Sequence, residues 1–261
     1  MILAAIGVNP LTTTSRSAIK PVRVNPARPD GRRPFFPGMA LLAIAIAATA
    51  FIPEYIANAA GHFPIAWILH IHGAIMFACL STFLVQAWLG ATGRTQLHRK
   101  IGNYGFAIGA LAWVSMIFVE WRALFVYPPP DDLSEYDWML PGLYVYSTFL
   151  TFLIWSYRKR NRPDWHKRLI TFALFLSLQA AIQRYTWLPP HHGYWPFAAL
   201  LDIFLLIPLF ASDLRVLKGR LHPATLGGTL LLLFAQGALF TLWGTAPWRH
   251  FAFFVAHLVY R

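Results

Sequence analysis

The amino-acid sequence predicts an all-α membrane protein, a polytopic bundle of seven transmembrane helices with a cytoplasmic amino terminus and a periplasmic carboxyl terminus. Three observations predict this fold class. The 261 residues are 57% hydrophobic and only 12% charged, a balance that the charged surface of a soluble domain rarely shows. Seven apolar runs have about 20 residues each, enough to cross a hydrocarbon core roughly 30 Å thick. The basic residues are concentrated in alternate connections between these runs.

The seven runs define one membrane domain, because no connection between them is long enough to fold alone. The domain covers residues 37–243, and the predicted spans are 37–56, 64–90, 103–126, 138–157, 168–188, 195–213 and 224–243. Residues 1–36, rich in Pro, Arg and Thr, are expected to form a flexible basic arm in the cytoplasm. Residues 244–261 combine aromatic and basic residues, which predicts an amphipathic segment lying in the membrane interface.

The positive charge of the chain follows its topology. Of the 22 Lys and Arg residues, 18 lie in the amino-terminal arm and in the second, fourth and sixth connections, and the net charge is +12. Cytoplasmic loops retain Lys and Arg during insertion, so this asymmetry predicts the orientation in a bacterial inner membrane and an odd number of spans. The charge therefore indicates a lipid bilayer as partner and no nucleic acid.

Three histidines recur in similar cytoplasmic connections, each near the start of an outgoing helix. They are His98, His166 and His222, and three histidines are enough for a catalytic zinc ion. Helix amino termini and flanking basic residues disfavour a bare divalent cation, however. Haem fits these features better, with imidazoles on the iron and Arg99 and Arg168 beside the propionates. Binding of anionic lipid headgroups needs no ligation and is an open alternative.

A second group of polar residues belongs to the outer half of the predicted bundle. His72 shares a helical stripe with Met76 and Gln86, so it is expected to face inward more than His70 does. A structural histidine bonded to a neighbouring helix is the alternative. Four further residues could line a polar path between helices: Glu120, Gln183, Arg184 and Asp202. For Arg184, extension towards the headgroups is an alternative, and Asp202 could belong to a structural ion pair.

Three short segments carry a resemblance to known proteins. They are residues 70–86 with His-Ile-His-Gly and a final Gln, residues 97–104 with Leu-His-Arg-Lys-Ile-Gly-Asn-Tyr, and His166-Lys167-Arg168-Leu169. This pattern resembles a bacterial family of predicted multi-spanning membrane proteins of unknown function, over about the middle third of the chain. A more distant similarity is to cytochrome b561-type electron carriers. It implies haem ligation by His72, His98 and His166, although the fourth predicted span has no histidine near its external start.

These features lead to three functional hypotheses. The first is an inner-membrane protein that binds haem b, or a metal ion, through His98 and His166 with His222 or His72, and exchanges electrons with a membrane redox partner or a quinone. The second is a carrier or lipid-interacting protein with a polar path inside the membrane. The third is a membrane scaffold or assembly subunit. No nucleophile motif, phosphate-binding glycine loop or HExxH sequence is present, so the sequence does not assign a catalytic activity.

Overall fold

The computed structural model describes residues 34–61, 66–126, 132–185 and 201–259. These residues form helices and turns, with no β-strand among them. The helices are α1 (Phe35–Ala60), α2 (Trp67–Ala91), α3 (Thr95–Val126), α4 (Met139–Arg158), α5 (Pro163–Leu176), α6 (Gln179–Ile182), α7 (Ile207–Val216), α8 (Pro223–Leu242) and α9 (Ala246–Val259). A short 3-10 helix, Leu133–Trp138, precedes α4, and residues 201–205 are helical ahead of α7.

Five helical segments are long and apolar enough to cross a membrane. They are Phe35–Ala60, Trp67–Ala91, Thr95–Arg122, Leu133–Arg158 and Pro223–Leu242. Large apolar side chains on their outer faces are exposed, among them Phe77, Phe118 and Phe234. Exposed apolar faces of this kind need lipid as solvent, which supports a multi-pass membrane protein.

The predicted fifth and sixth spans differ from regular transmembrane helices. The fifth consists of α5 and α6, which are separated by a break at Ser177 and Leu178. Only residues 201–213 of the sixth are described, and their helix is interrupted at Leu206. Of the arm expected over residues 1–36, residues 1–33 lie outside the described residues. Helix α1 begins at Phe35, close to the predicted start of the first span.

The centre of the bundle is α5. This helix packs against α1, α4 and α8, and most of the residues from Arg168 to Leu176 are buried. Phe172 of α5 stacks on Phe152 of α4 with 4.8 Å between ring centroids, and both side chains are fully buried. The helices α2 and α3, like α4 and α5, form close-packed pairs.

The carboxyl-terminal helix α9 packs against the 3-10 helix and α3. Trp248, Ala252 and Ala256 are buried on one face, whereas Phe251 and Phe254 are more than half exposed on the other. Indole N–H of Trp248 donates to the carbonyl of Tyr136, and Arg249 forms an ion pair of 2.6 Å with Asp137. The segment is therefore amphipathic, with one face fixed to the bundle.

Candidate functional site

Two of the three histidines from the basic connections lie side by side. His98 is on the first turn of α3 and His166 on the first turn of α5, and their ring centroids are 6.3 Å apart with the ring planes nearly perpendicular. Both side chains are partly buried. Phe106 of α3 packs against the ring of His166, with a centroid distance of 5.9 Å. The two imidazoles thus share a site between α3 and α5.

Each of these rings has one nitrogen held by a protein oxygen. Nδ1 of His98 is 3.1 Å from the carbonyl oxygen of Gln86, and Nδ1 of His166 is 2.8 Å from the hydroxyl and 3.3 Å from the carbonyl oxygen of Ser156. A carbonyl oxygen only accepts, so Nδ1 carries the proton in both rings and Nε2 retains its lone pair. Metal-binding histidines are commonly oriented in this way.

His222 is not available as a third ligand in this arrangement. It caps the amino terminus of α8, because its Nδ1 accepts from the backbone N–H of Ala224 at 3.0 Å. Its Nε2 lies 3.1 Å from the carboxylate of Asp164 and donates to it. Desolvation and the nearby Arg168 hold the pKa of His222 below its ordinary value, against the opposing effect of Asp164. This side chain is therefore a neutral helix cap.

The expected three-histidine metal site is not formed. Within the described ranges, no group of three or more His, Cys, Asp or Glu side chains is placed to hold a metal ion. The physical reason is that helix capping and the bond to Asp164 occupy both nitrogens of His222. Only the His98 and His166 part of the expected cluster is assembled.

The arginines expected beside a cofactor have different environments. The guanidinium of Arg168 is buried and forms an ion pair with the buried carboxylate of Asp213, with a second bond to the carbonyl of Asp164. Asp213 also accepts from the hydroxyl of Thr225 and the backbone N–H of His222. Arg168 therefore connects α5 with α7 and α8 through these bonds. Its guanidinium is not placed to pair with a haem propionate in the way that the sequence predicts. Arg99 is exposed on α3.

His72 contacts a neighbouring helix and His70 is exposed, as the helical stripe predicts. Nδ1 of His72 lies 3.0 Å from the hydroxyl of Ser115 on α3, and this hydroxyl donates to the carbonyl of Ala112. His72 must therefore donate through Nδ1, which again leaves the Nε2 lone pair unprotonated. His70 is exposed, with its ring against Tyr55 of α1.

The four residues expected to line a polar path do not meet in one contact network. Arg184 forms an ion pair with Glu54 of α1, and both side chains are substantially exposed. Glu120 is exposed on α3 and approaches Gly142 of α4. Gln183 is partly buried at the end of α6. Asp202 contacts two neutral side chains, those of Tyr144 and Gln179.

Asp202 lies in a buried polar cluster that sequence reasoning identified only in part. Its Oδ2 accepts from the hydroxyl of Tyr144 at 3.0 Å, and this hydroxyl accepts from Nε2 of Gln236 at 3.3 Å. Gln179 lies beside the same carboxyl group. All four side chains are at least 95% buried. Gln236 could have been found as the one amide in the apolar run of α8, whereas Tyr144 carried no distinguishing signal.

Two paired histidines are a donor set that suits haem better than a bare zinc ion. A porphyrin supplies the equatorial nitrogens, so haem iron would need only axial protein ligands, whereas a zinc site needs three or four.

Comparison of the chain with protein-family models, with curated proteins and with solved structures finds no match.

Proposed function

We propose that this protein binds haem b through His98 and His166 and takes part in electron transfer within a membrane. The observation that carries the proposal is the pairing of two imidazoles whose Nδ1 atoms are both held by backbone oxygens. Such bonds fix the ring orientation and increase the basicity of Nε2, as in other metal-binding histidines. Haem would supply a one-electron redox couple.

The protein's own contribution is to orient the two rings and to set their surroundings. The carbonyl oxygens of Gln86 and Ser156 increase electron density on the imidazoles, and Phe106 excludes water from one side of His166. His98 and His166 would both be needed to hold the haem, and a haem held by two protein ligands would supply electron transfer rather than a binding place for substrate on the iron. The electron partner is proposed to be a membrane protein or a quinone.

The proposed setting is a bacterial inner membrane, crossed seven times with the amino terminus in the cytoplasm. The distribution of Lys and Arg supports this orientation. In this orientation the paired histidines would lie at the cytoplasmic end of the bundle. The resemblance to multi-spanning bacterial proteins of unknown function and to cytochrome b561-type carriers is part of the same proposal.

Absorption spectroscopy of the full chain tests the haem. Protein produced with sufficient iron and haem precursor and purified in mild detergent should show a Soret band and the reduced-minus-oxidised bands of a bis-histidine haem b. His98→Ala and His166→Ala should each lose these bands. His70→Ala is the matched control, since His70 is exposed and lies outside the pair, and it should retain them.

A conservative variant keeps the test decisive if alanine prevents folding. His98→Met should retain haem with altered axial ligation and a raised midpoint potential, because a thioether ligand favours the reduced iron. A wild-type protein without a Soret band after haem reconstitution would contradict the proposal. So would spectra that are identical in wild type and in both alanine variants.

A further inference from the structure

The buried carboxyl group of Asp202 lies at the same depth as its three polar neighbours. Tyr144 is about four turns from the end of α4 at Arg158, and Gln236 about four turns from the start of α8 at Pro223, which corresponds to roughly 20 Å from that end of the bundle. Asp202 is 1% exposed, Gln179 1% and Gln236 2%. At the opposite end, Tyr144 is about 8 Å from the start of α4 at Met139 and Gln236 about 9 Å from the end of α8 at Leu242. The cluster is therefore buried within the helical bundle, nearer to this second end.

The helical segments that supply Gln179 and Asp202 are both interrupted next to these residues. The helical path through α5 and α6 breaks at Ser177 and Leu178, directly before Gln179. The helix that contains Asp202 is interrupted four residues later, at Leu206. Non-helical backbone at membrane depth is tolerated where it lines a site, and broken helices form the ion sites of many membrane transporters. The breaks point to a binding site at this cluster.

Among the described residues, three polar atoms of the cluster have no partner in hydrogen-bonding geometry. They are Oδ1 of Asp202 and both amide atoms of Gln179, Oε1 and Nε2. The other carboxyl oxygen, Oδ2, already accepts from Tyr144. Unpartnered atoms of this kind are costly inside a protein, so the arrangement is complete only with an additional ligand.

The charge of Asp202 is also uncompensated among the described residues. Arg168, Arg184 and Arg249 are paired with Asp213, Glu54 and Asp137, and Tyr144 is the titratable side chain that contacts Asp202. An ionised carboxylate in this position would lose several kcal/mol of hydration without a counter-charge. The missing ligand is therefore expected to carry one positive charge.

We propose that this ligand is a proton, bound at Oδ1 of Asp202 and donated in a hydrogen bond to Oε1 of Gln179. The carboxylate and a proton from water combine to the neutral acid, and this one step satisfies two of the three unpartnered atoms. A metal cation fits the cluster less well. The Tyr144 oxygen already accepts a hydrogen bond from Gln236, so few side-chain oxygens remain as metal ligands. The cluster is thus a proton-exchange site inside the membrane, and it does not depend on haem.

Infrared spectroscopy of the full chain in lipid nanodiscs tests this site. At neutral pH the wild type should show the C=O stretch of a protonated carboxylic acid, shifted by exchange into D₂O and lost at strongly alkaline pH. Asp202→Asn, which preserves shape and neutrality, should lose this band. Asp137→Asn is the control, because Asp137 is ion-paired with Arg249, and it should retain the band.

A second variant examines the proposed acceptor. Gln179→Leu removes the amide, so the carboxylic acid band should move to higher frequency in this variant as its hydrogen bond is lost. An identical band in wild type and Asp202→Asn would overturn the proposal. A wild-type melting temperature that rises with Na⁺ but not with an organic cation, with no such rise in Asp202→Asn, would also overturn it and would assign the site to a metal cation.

Discussion

At the residue scale, the buried ion pair between Arg168 and Asp213 should be essential for stability. Asp213→Ala leaves the guanidinium of Arg168 buried without its counter-charge, which should destabilise the protein by about 3–5 kcal/mol. Thermal unfolding in detergent measures the effect. Glu54→Ala is the matched control: its pair with Arg184 is substantially exposed, so the expected loss is below about 1 kcal/mol. Equal losses in the two variants would contradict this assignment.

The positions of the site residues follow from the sequence more directly than their partners do. The recurrence of histidine in similar connections predicts that His98 and His166 lie at the same end of the bundle, and the structure pairs them. The recurrence does not predict that His222 is a helix cap, although the Pro that follows at the first helical position was a signal for this. Hydrogen bonds such as those of Tyr144 depend on tertiary packing, so no local sequence pattern predicts them.

The cap formed by His222 should make stability depend on pH. Desolvation and Arg168 lower the pKa of His222 in the folded protein, so the unfolded chain binds more protons as the pH falls through the ordinary histidine range of about 6.5. Stability should therefore decrease from pH 7 towards pH 5. Protonation also removes the lone pair that accepts from Ala224.

His222→Asn isolates this effect, because asparagine caps helices well and does not titrate. Melting temperatures measured from pH 7.5 to 5 should fall less steeply in this variant than in the wild type. The same measurement on His70→Asn provides the reference for loss of an exposed histidine. Parallel curves for wild type and His222→Asn would show that the cap does not titrate in this range.

At the element scale, apolar runs predict the long helices well and interruptions poorly. The ends of α2, α4 and α8 agree with the predicted spans within a few residues, because lipid-facing helices are defined by continuous hydrophobicity. The interruption at Leu206 precedes Pro208, whose ring prevents a regular helix through this point. The interruption at Ser177 and Leu178 contains neither Gly nor Pro. The hydroxyl of Ser177 donates to the carbonyl of Leu174 at 2.6 Å, and such local bonds compete with the helical hydrogen bonds.

Two glycines of α8 offer a comparison of packing within one helix. A Cβ at Gly228 would lie 2.8 Å from the ring of Phe172, whereas a Cβ at Gly237 has no neighbour within 4 Å. Phe172 is stacked in the centre of the core and cannot move away easily. Gly228→Ala should therefore destabilise the protein by about 1–3 kcal/mol through overpacking.

Gly237→Ala is the control for the change in helix propensity. It should be neutral or should stabilise α8 by up to about 1 kcal/mol, because alanine loses less backbone entropy than glycine. Both values come from thermal unfolding in the same detergent. A neutral Gly228→Ala would mean that α5 and α8 are farther apart than the structure has them.

At the scale of the whole molecule, contacts between connections define the two ends of the bundle. The pairing of His98 with His166, and of Asp164 with His222, brings the connections before α3, α5 and α8 to one end. The ion pair of Asp137 with Arg249 joins the 3-10 helix to α9. Basic residues are concentrated in the first group of connections, which is expected to face the cytoplasm.

Cysteine labelling tests this arrangement as a whole. Cys79 is the single cysteine, so Cys79→Ala provides a background for Lys100→Cys, Arg160→Cys and Arg220→Cys, all exposed at the predicted cytoplasmic end. A membrane-impermeant maleimide should label these three sites in inverted vesicles only. Glu135→Cys and His250→Cys, exposed at the other end, should react in intact spheroplasts.

Labelling at positions 160 and 220 tests whether the two interrupted helical segments cross the membrane. If α5 with α6 and the segment leading into α7 each cross the membrane, these sites must face the same compartment, because two crossings separate them. Labelling of 160 and 220 from opposite sides would remove one crossing and leave an even number of spans. The basic connection around Arg220 would then lie outside, against the retention of Lys and Arg in the cytoplasm, and the network of Arg168, Asp213 and Thr225 could not join both connections at one end.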